Sequence, residues 1–166
     1  ALLTIAQAEA GAFREQADDL DLSIIAHDLA ELYQPLAEEQ ELELATSIRE
    51  DVRVMGNKHL LSQAVANLLD NAIKYSPAGG SVELRLAPSS MGVELMVADQ
   101  GPGIPEESRD KVLERFHRLE ASRNAPGSGL GLSLVSAVAK LHRAELILGD
   151  NEPGLKISLR FPVTMH

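Results

Sequence analysis

The sequence predicts a two-layer α+β sandwich: a mixed, mostly antiparallel sheet with three main helices packed on it. Two patterns carry this expectation. Apolar residues recur at helical spacing in three stretches, Asp21–Glu39, Lys58–Tyr75 and Gly129–His142. Between and after them lie short runs in which apolar and polar residues alternate, joined by Pro- and Gly-containing turns as in hairpins. The 166 residues suffice for one domain with a real core. Aromatic residues make up 3% of the chain, so that core must be aliphatic.

In chain order, Ala1–Gly11 is a short run rich in alanine and leucine, read as a helix that packs on this domain. The first main helix directs Leu22, Ile25, Leu29, Leu32 and Leu36 to one side, with Asp21 or Ser23 as its cap. Pro35 inside it implies either a kinked last turn or a later start. Leu42, Leu44 and Thr46 alternate as in a strand, with a short partner expected near Val52–Val54. The second helix spans about Lys58–Tyr75 and ends at the turn Ser76-Pro77-Ala78-Gly79-Gly80. Val82, Leu84 and Leu86, then Val93, Leu95 and Val97, form a hairpin across Pro88–Gly92. Asp99 to about Gly127 has no clean period and reads as a long loop with one charged helix near Glu107–Arg115; such loops are usually functional. The third helix places Leu130, Leu134, Val138 and Leu141 on its apolar side, and two strands, Ala144–Leu148 and Leu155–Phe161, close the chain.

Composition narrows the function. A formal charge of −10 argues against a nucleic-acid groove, which needs basic surface. It leaves room for a nucleotide, because a local lysine, arginines and a metal can serve one anion. There is no cysteine, hence no disulfide framework and no thiolate chemistry. No run approaches the length of a membrane span and no signal peptide stands at the start, so the chain as given reads as soluble. It opens at Ala1 without an initiator Met, as a piece of a longer protein would.

The stretch richest in chemistry is Asn67-Leu68-Leu69-Asp70-Asn71-Ala72-Ile73-Lys74-Tyr75. On a helix, Leu61, Val65, Leu68 and Ala72 form the apolar stripe, while Asn67, Asn71, Lys74 and Tyr75 share a neighbouring face. A phosphate chain with its metal would satisfy those polar groups. Asn71 offers a neutral oxygen ligand, Lys74 a point charge, and Tyr75 a flat surface for a base or ribose. A plain surface helix with one wet face fits this stretch as well. Downstream, Asp99 ends a strand before Gly101-Pro102-Gly103-Ile104. A carboxylate there can accept from the exocyclic amine of adenine and would repel the carbonyl of guanine; a simple turn-starting Asp is the alternative. Gly101 and Gly103 would let backbone pass close to a planar base, with Ile104 as an apolar floor. Phe116 follows, and then Gly127-Ser128-Gly129-Leu130-Gly131-Leu132, which opens the third helix with N–H groups suited to phosphate oxygens. At Gly101 and Gly103 the third glycine and strand–turn–helix context of a dinucleotide fingerprint are missing, and no GxxxxGK[ST] loop occurs anywhere in the sequence.

In this order the four motifs resemble the N, G1, F and G2 boxes of sensor histidine kinases, members of a superfamily with gyrase-type topoisomerases, heat-shock chaperone ATPases and MutL. The resemblance covers about Asp21–Pro162. It implies the histidine kinase ATPase (Bergerat) form of the sandwich, with an ATP lid. It also implies ATP and Mg²⁺ as cofactors, with Asn71 as the protein ligand of the metal. Asn67, Asn71 and Lys74 would be catalytic. The nucleotide would be held by these with Tyr75, Asp99, Gly101, Gly103, Ile104, Arg118, Gly127, Ser128, Gly129, Leu130 and Gly131. Arg115, Arg118 and Arg123 are the lid's cations, with Arg118 best placed by motif position; Phe116 is a lid anchor or plain core.

Asn67 stands where related hydrolysing ATPases carry an acidic general base, so ATP would be held for transfer rather than spent on water. Residues 1–20 would be the tail of the dimerisation and phosphoacceptor helix with its linker, and 21–166 the catalytic ATP-binding domain. The acceptor histidine is not recognisable: His27-Asp28-Leu29 imitates the start of its motif, but Ala30 and Glu31 follow. The implied partners are the dimerisation domain of the same protein, a homodimer at full length, and indirectly a response regulator. The implied setting is the cytoplasmic side of a membrane-anchored bacterial sensor. A hydrolysing or serine-kinase member of the superfamily, and a nucleotide-sensing pseudo-kinase module, are the competing readings.

Overall fold

A computed structural model of the chain describes residues 17–90, 92–100, 130–150 and 154–162. The elements are β1 (Asp18–Asp21), α1 (Leu22–Glu39), β2 (Glu43–Ile48), β3 (Arg53–Gly56), α2 (Lys58–Tyr75), β4 (Ser81–Ser89), β5 (Gly92–Ala98), α3 (Leu130–Leu141), β6 (Glu145–Asp150) and β7 (Leu155–Pro162). The expected α+β sandwich with three helices is present. The runs at 1–11 and 107–115, and Phe116, lie outside the described residues.

Five strands form the main sheet in the order β2-β4-β5-β7-β6. Only β2 and β4 are parallel, with Leu44 opposite Val82 and Ile48 opposite Leu86; the other pairs are antiparallel. One face of this sheet is aliphatic: Leu84, Leu95 and Leu159 occupy adjacent strands and are fully buried beneath the helices. The opposite face carries charge, with Arg160 on Glu94 at 2.8 Å and Arg85 on Glu83 at 2.9 Å. Such exposed pairs are screened by solvent and contribute little. The hydrophobic layer therefore holds the sheet to the helices.

The strand at 53–56 is not the partner of β2, as its sequence suggested. It pairs antiparallel with β1, Leu20 opposite Val54, in a separate two-stranded sheet. The boundary expected after residue 20 thus falls within β1. β4 runs through Pro88 to Ser89, making the hairpin turn tighter than Pro88–Gly92. Pro88 lies beyond the last β2 pair, Ile48 with Leu86, so β2 requires no donor from it.

Asp21 caps α1 by accepting from Ser23 N at 2.9 Å. The Ser23 hydroxyl, fully buried, donates to the carbonyl of Arg49 at 2.6 Å and accepts from Val52 N at 3.0 Å. α1 continues through Pro35, which lies on its exposed side. Its expected apolar stripe is only half right: Ile25 is buried, but Leu32 and Leu36 are 63% and 44% exposed. The buried seam is the adjacent one through Ala26, Ala30, Tyr33 and Ala37, whose small alanines allow closer packing. α3 is likewise rotated from expectation. It buries Leu132, Val135, Val138 and Ala139, leaving Leu134 and Leu141 partly covered. Among the described residues no helix is long and apolar enough to cross a membrane.

Candidate nucleotide-binding site

α2 begins at Asn57, whose side chain accepts from Leu60 N at 3.0 Å. From there a single helix carries Leu61, Ala64, Val65, Leu68, Leu69, Ala72 and Ile73 into the core. Burial of that stripe fixes the rotation of the helix, and the rotation leaves Asn67 and Asn71 half-buried one turn apart on the flank. Lys74 and Tyr75 follow on the exposed end, the ammonium 6.0 Å from the phenol ring centroid. Asp70 is exposed on the same turn; burial first, and then the charge of Asp70, hold the Tyr33 hydroxyl above the ordinary phenol pKa.

Asp99 follows β5 directly and is 8% exposed. Its Oδ1 accepts from Leu155 N at 3.0 Å, and its own N–H donates to the Leu155 carbonyl at 2.9 Å. Gly154 makes that approach possible: its φ is +112°, and a Cβ there would stand 1.9 Å from the Asp99 carbonyl oxygen. Gln100 braces the next step. Its Oε1 accepts from Ser81 N at 2.9 Å, and its backbone N–H donates to the Ser76 hydroxyl at 3.4 Å. Ser76 N in turn donates to the carbonyl of Ala72 at the end of α2. These bonds set the buried carboxylate beside the C-terminal end of the helix that bears the two amides.

α2 therefore carries Asn67, Asn71, Lys74 and Tyr75 along one flank, and the end of β5 sets Asp99 near the helix's C-terminal end. Leu130 and Gly131 stand in the first turn of α3, of which only the helical backbone is described. Gly101, Gly103, Ile104, Arg118, Gly127, Ser128 and Gly129 lie outside the described residues. A shallow cleft of about 580 Å³ lined by Glu41, Glu43, Gly79, Gly80, Ser81 and Gln100 shares only Gln100 with this region. Its two carboxylates disfavour an anion, so the cleft is a poor place for phosphate. His27, the imitation of an acceptor motif, lies at the surface with Nε2 2.9 Å from Glu50 Oε1. No cluster of metal-ligating His, Cys, Asp or Glu occurs among the described residues. A neutral amide donor set such as Asn67 and Asn71 suits a hard cation that brings its own phosphate ligands.

Sequence reading did not single out Gln100, Gly154 or His142. Gly154 had a local signal, the Pro153-Gly154 pair, but its neighbour Asp99 is far away along the chain.

The model of the family described as "Histidine kinase-, DNA gyrase B-, and HSP90-like ATPase" matches residues 56–165. The signal transduction histidine-protein kinase/phosphatase MprB of Mycolicibacterium smegmatis is 47% identical over 116 residues, 66% of this chain and 24% of that protein. The sensor protein kinase PmrB of Pseudomonas aeruginosa is 34% identical over 165 residues, 98% of this chain and 34% of that protein. The chain thus spans about a third or less of the length of these two curated relatives. The solved structure of a mycobacterial sensor histidine kinase MprB superposes with a TM-score of 0.73 at 35% identity, covering 90% of this chain and 99% of that one.

Proposed function

Because the chain belongs to the family of histidine kinase-, DNA gyrase B- and HSP90-like ATPases, we propose that it is the ATP-holding catalytic domain of a two-component sensor histidine kinase. The observation that carries this reading is the buried Asp99 carboxylate, fixed by Leu155 beside the end of α2 that presents Asn67 and Asn71. Asp99 selects adenine by accepting from its amine. Tyr75 lies along the base or ribose, and Lys74 meets the phosphates. The carry-over from the family adds Gly101, Gly103 and Ile104 around the base, and Arg118, Gly127, Ser128, Gly129, Leu130 and Gly131 around the phosphates. Asn67 and Asn71 supply neutral oxygens where Mg²⁺ would bind, with Asn71 as its ligand, and that ion would neutralise charge on the phosphates.

The reaction is transfer of the γ-phosphoryl group. The bond from its phosphorus to the bridging oxygen of ADP breaks, and one to a histidine nitrogen of a dimerisation domain forms. This chain's contribution is positioning and charge stabilisation. Asn67 takes up no proton at neutral pH, so water near the γ-phosphate is left without a general base. Residues 1–20 belong to the dimerisation helix and linker, and 21–166 to the catalytic domain, with β1 making their junction. The parent protein is a homodimer anchored in a bacterial membrane, with this domain in the cytoplasm, and its phosphoryl group passes on to a response regulator.

The test mixes the purified chain, [γ-³²P]ATP and Mg²⁺ with the dimerisation domain of its own parent protein. Label on histidine is expected. Steady ATP hydrolysis without label would favour a hydrolysing relative, and tight ATP binding without either would favour a nucleotide sensor.

A further inference from the structure

His142 closes α3 and is 6% exposed. Its Nδ1 is 2.8 Å from the carbonyl of Val138, and its Nε2 is 3.1 Å from the backbone nitrogen of Asn57. A backbone N–H only donates, so Nε2 is the acceptor and Nδ1 carries the ring proton, donated to Val138. Accepting at Nε2 requires the neutral imidazole, and burial pushes its pKa below the ordinary value, against the smaller opposing effect of the Val138 bond. Asn57 is the N-cap of α2, so the ring holds the very residue at which that helix starts. Gly56 clears the way: a Cβ there would fall 2.5 Å from His142 Cδ2 and 2.6 Å from Nε2. From β7, Phe161 meets the ring edge-on, centroids 6.3 Å apart.

We infer that His142 is a positioning residue for nucleotide binding: by tying the C-terminal end of α3 to the N-cap of α2, it sets the angle between the two helices that flank the nucleotide. The inference rests on the nucleotide reading given above. α2 and α3 pack on each other, and α2 starts where α3 ends, so the pair is antiparallel. The ends that carry Asn71 and Leu130 are therefore the pair's other extremity. At about 1.5 Å per residue, Asn71 lies about 21 Å from Asn57 along α2. A tilt of about 3° at the cap then moves Asn71 by about 1 Å, a displacement large enough to cost about a hundredfold in a positioned reaction. His142 touches no nucleotide; it acts through the two helices.

The experiment compares the whole chain with His142→Gln, whose Oε1 replaces Nε2 as acceptor, and His142→Leu, which fills the space without accepting. Affinity for a non-hydrolysable Mg-ATP analogue is measured by calorimetry where circular dichroism shows each variant folded. Exchange of the Asn57 amide is measured without nucleotide. The expected result is that Gln binds within about threefold of the parent, while Leu binds about tenfold or more weakly. Asn57 should exchange faster in Leu alone. Equal affinity in Leu with faster Asn57 exchange would overturn the inference, since the bridge would then be structural only. If Leu does not fold, Gly56→Ala, which displaces the ring with His142 intact, is read the same way. A parent chain that binds no ATP analogue would sink the functional reading and this inference together, whereas a binding parent with an indifferent Leu variant sinks the inference alone.

Discussion

Asp99 and Leu155 exchange hydrogen bonds: Leu155 N–H donates to the Asp99 carboxylate at 3.0 Å, and Asp99 N–H donates to the Leu155 carbonyl at 2.9 Å. One carboxylate oxygen is thereby held by β7. The first residue of β7, far away along the chain, thus helps to orient the group to which we assign adenine selection.

Gly154→Ala should disturb this arrangement without touching a nucleotide. The backbone at φ +112° disfavours an L side chain, and the new Cβ would collide with the Asp99 carbonyl. A loss of about 1–3 kcal/mol is expected from the backbone conformation alone. Urea denaturation reads it, and ATP affinity should fall alongside.

Asp99→Ala should lose about 1–3 kcal/mol of ATP binding, tenfold to a hundredfold in Kd. Binding of GTP should change little. Titration calorimetry with both nucleotides separates lost base selectivity from general damage. A variant that binds ATP as tightly as the parent would remove the base pocket from this region.

Asn71→Ala should abolish Mg²⁺-dependent transfer while leaving the fold intact, because the side chain is on the flank of α2 and outside its buried stripe. Asn67→Glu should raise ATP hydrolysis above the parent's background by supplying a carboxylate able to accept a proton from water. Phosphate-release assays on the two variants, with and without the dimerisation domain, distinguish these effects.

His142 contributes a pH dependence whose sign is fixed by its burial. Its folded pKa lies below the ordinary 6.5, so the unfolded chain binds the proton more readily. The contribution is complete above pH 6.5 and is lost as pH falls from there through the folded pKa, with a slope of at most about 1.4 kcal/mol per pH unit. His142→Gln should flatten that part of the stability curve. Denaturation midpoints of parent and variant between pH 5 and 8, on the order of one sample per half unit, check it.

α2 was legible because its signals are local and agree: an aliphatic stripe and a Ser-Pro break. The fold class followed from the same kind of pattern. α1 and α3 were harder to phase. In α1 a leucine seam and an alanine seam lie side by side, and packing favours the smaller side chains. α3 is apolar nearly all round, so spacing alone does not tell which side faces α2. What the sequence concealed is long-range: Leu155 on Asp99, Ser76 on Gln100, and His142 on Asn57 are contacts between residues 56, 24 and 85 positions apart. Only the assembled fold creates them.

The parallel pairing of β2 with β4 has a kinetic consequence. Hairpins can zip from their turns, but parallel neighbours require the whole intervening segment to be folded back, and that segment contains α2. The amide-bearing helix is thus part of the return path of the parallel pair. A nascent chain that ends before β4 lacks β4, β5 and α3, and so most of what packs on that helix. Competence to capture ATP should therefore arise late and all at once, leaving half-made molecules unable to sequester it.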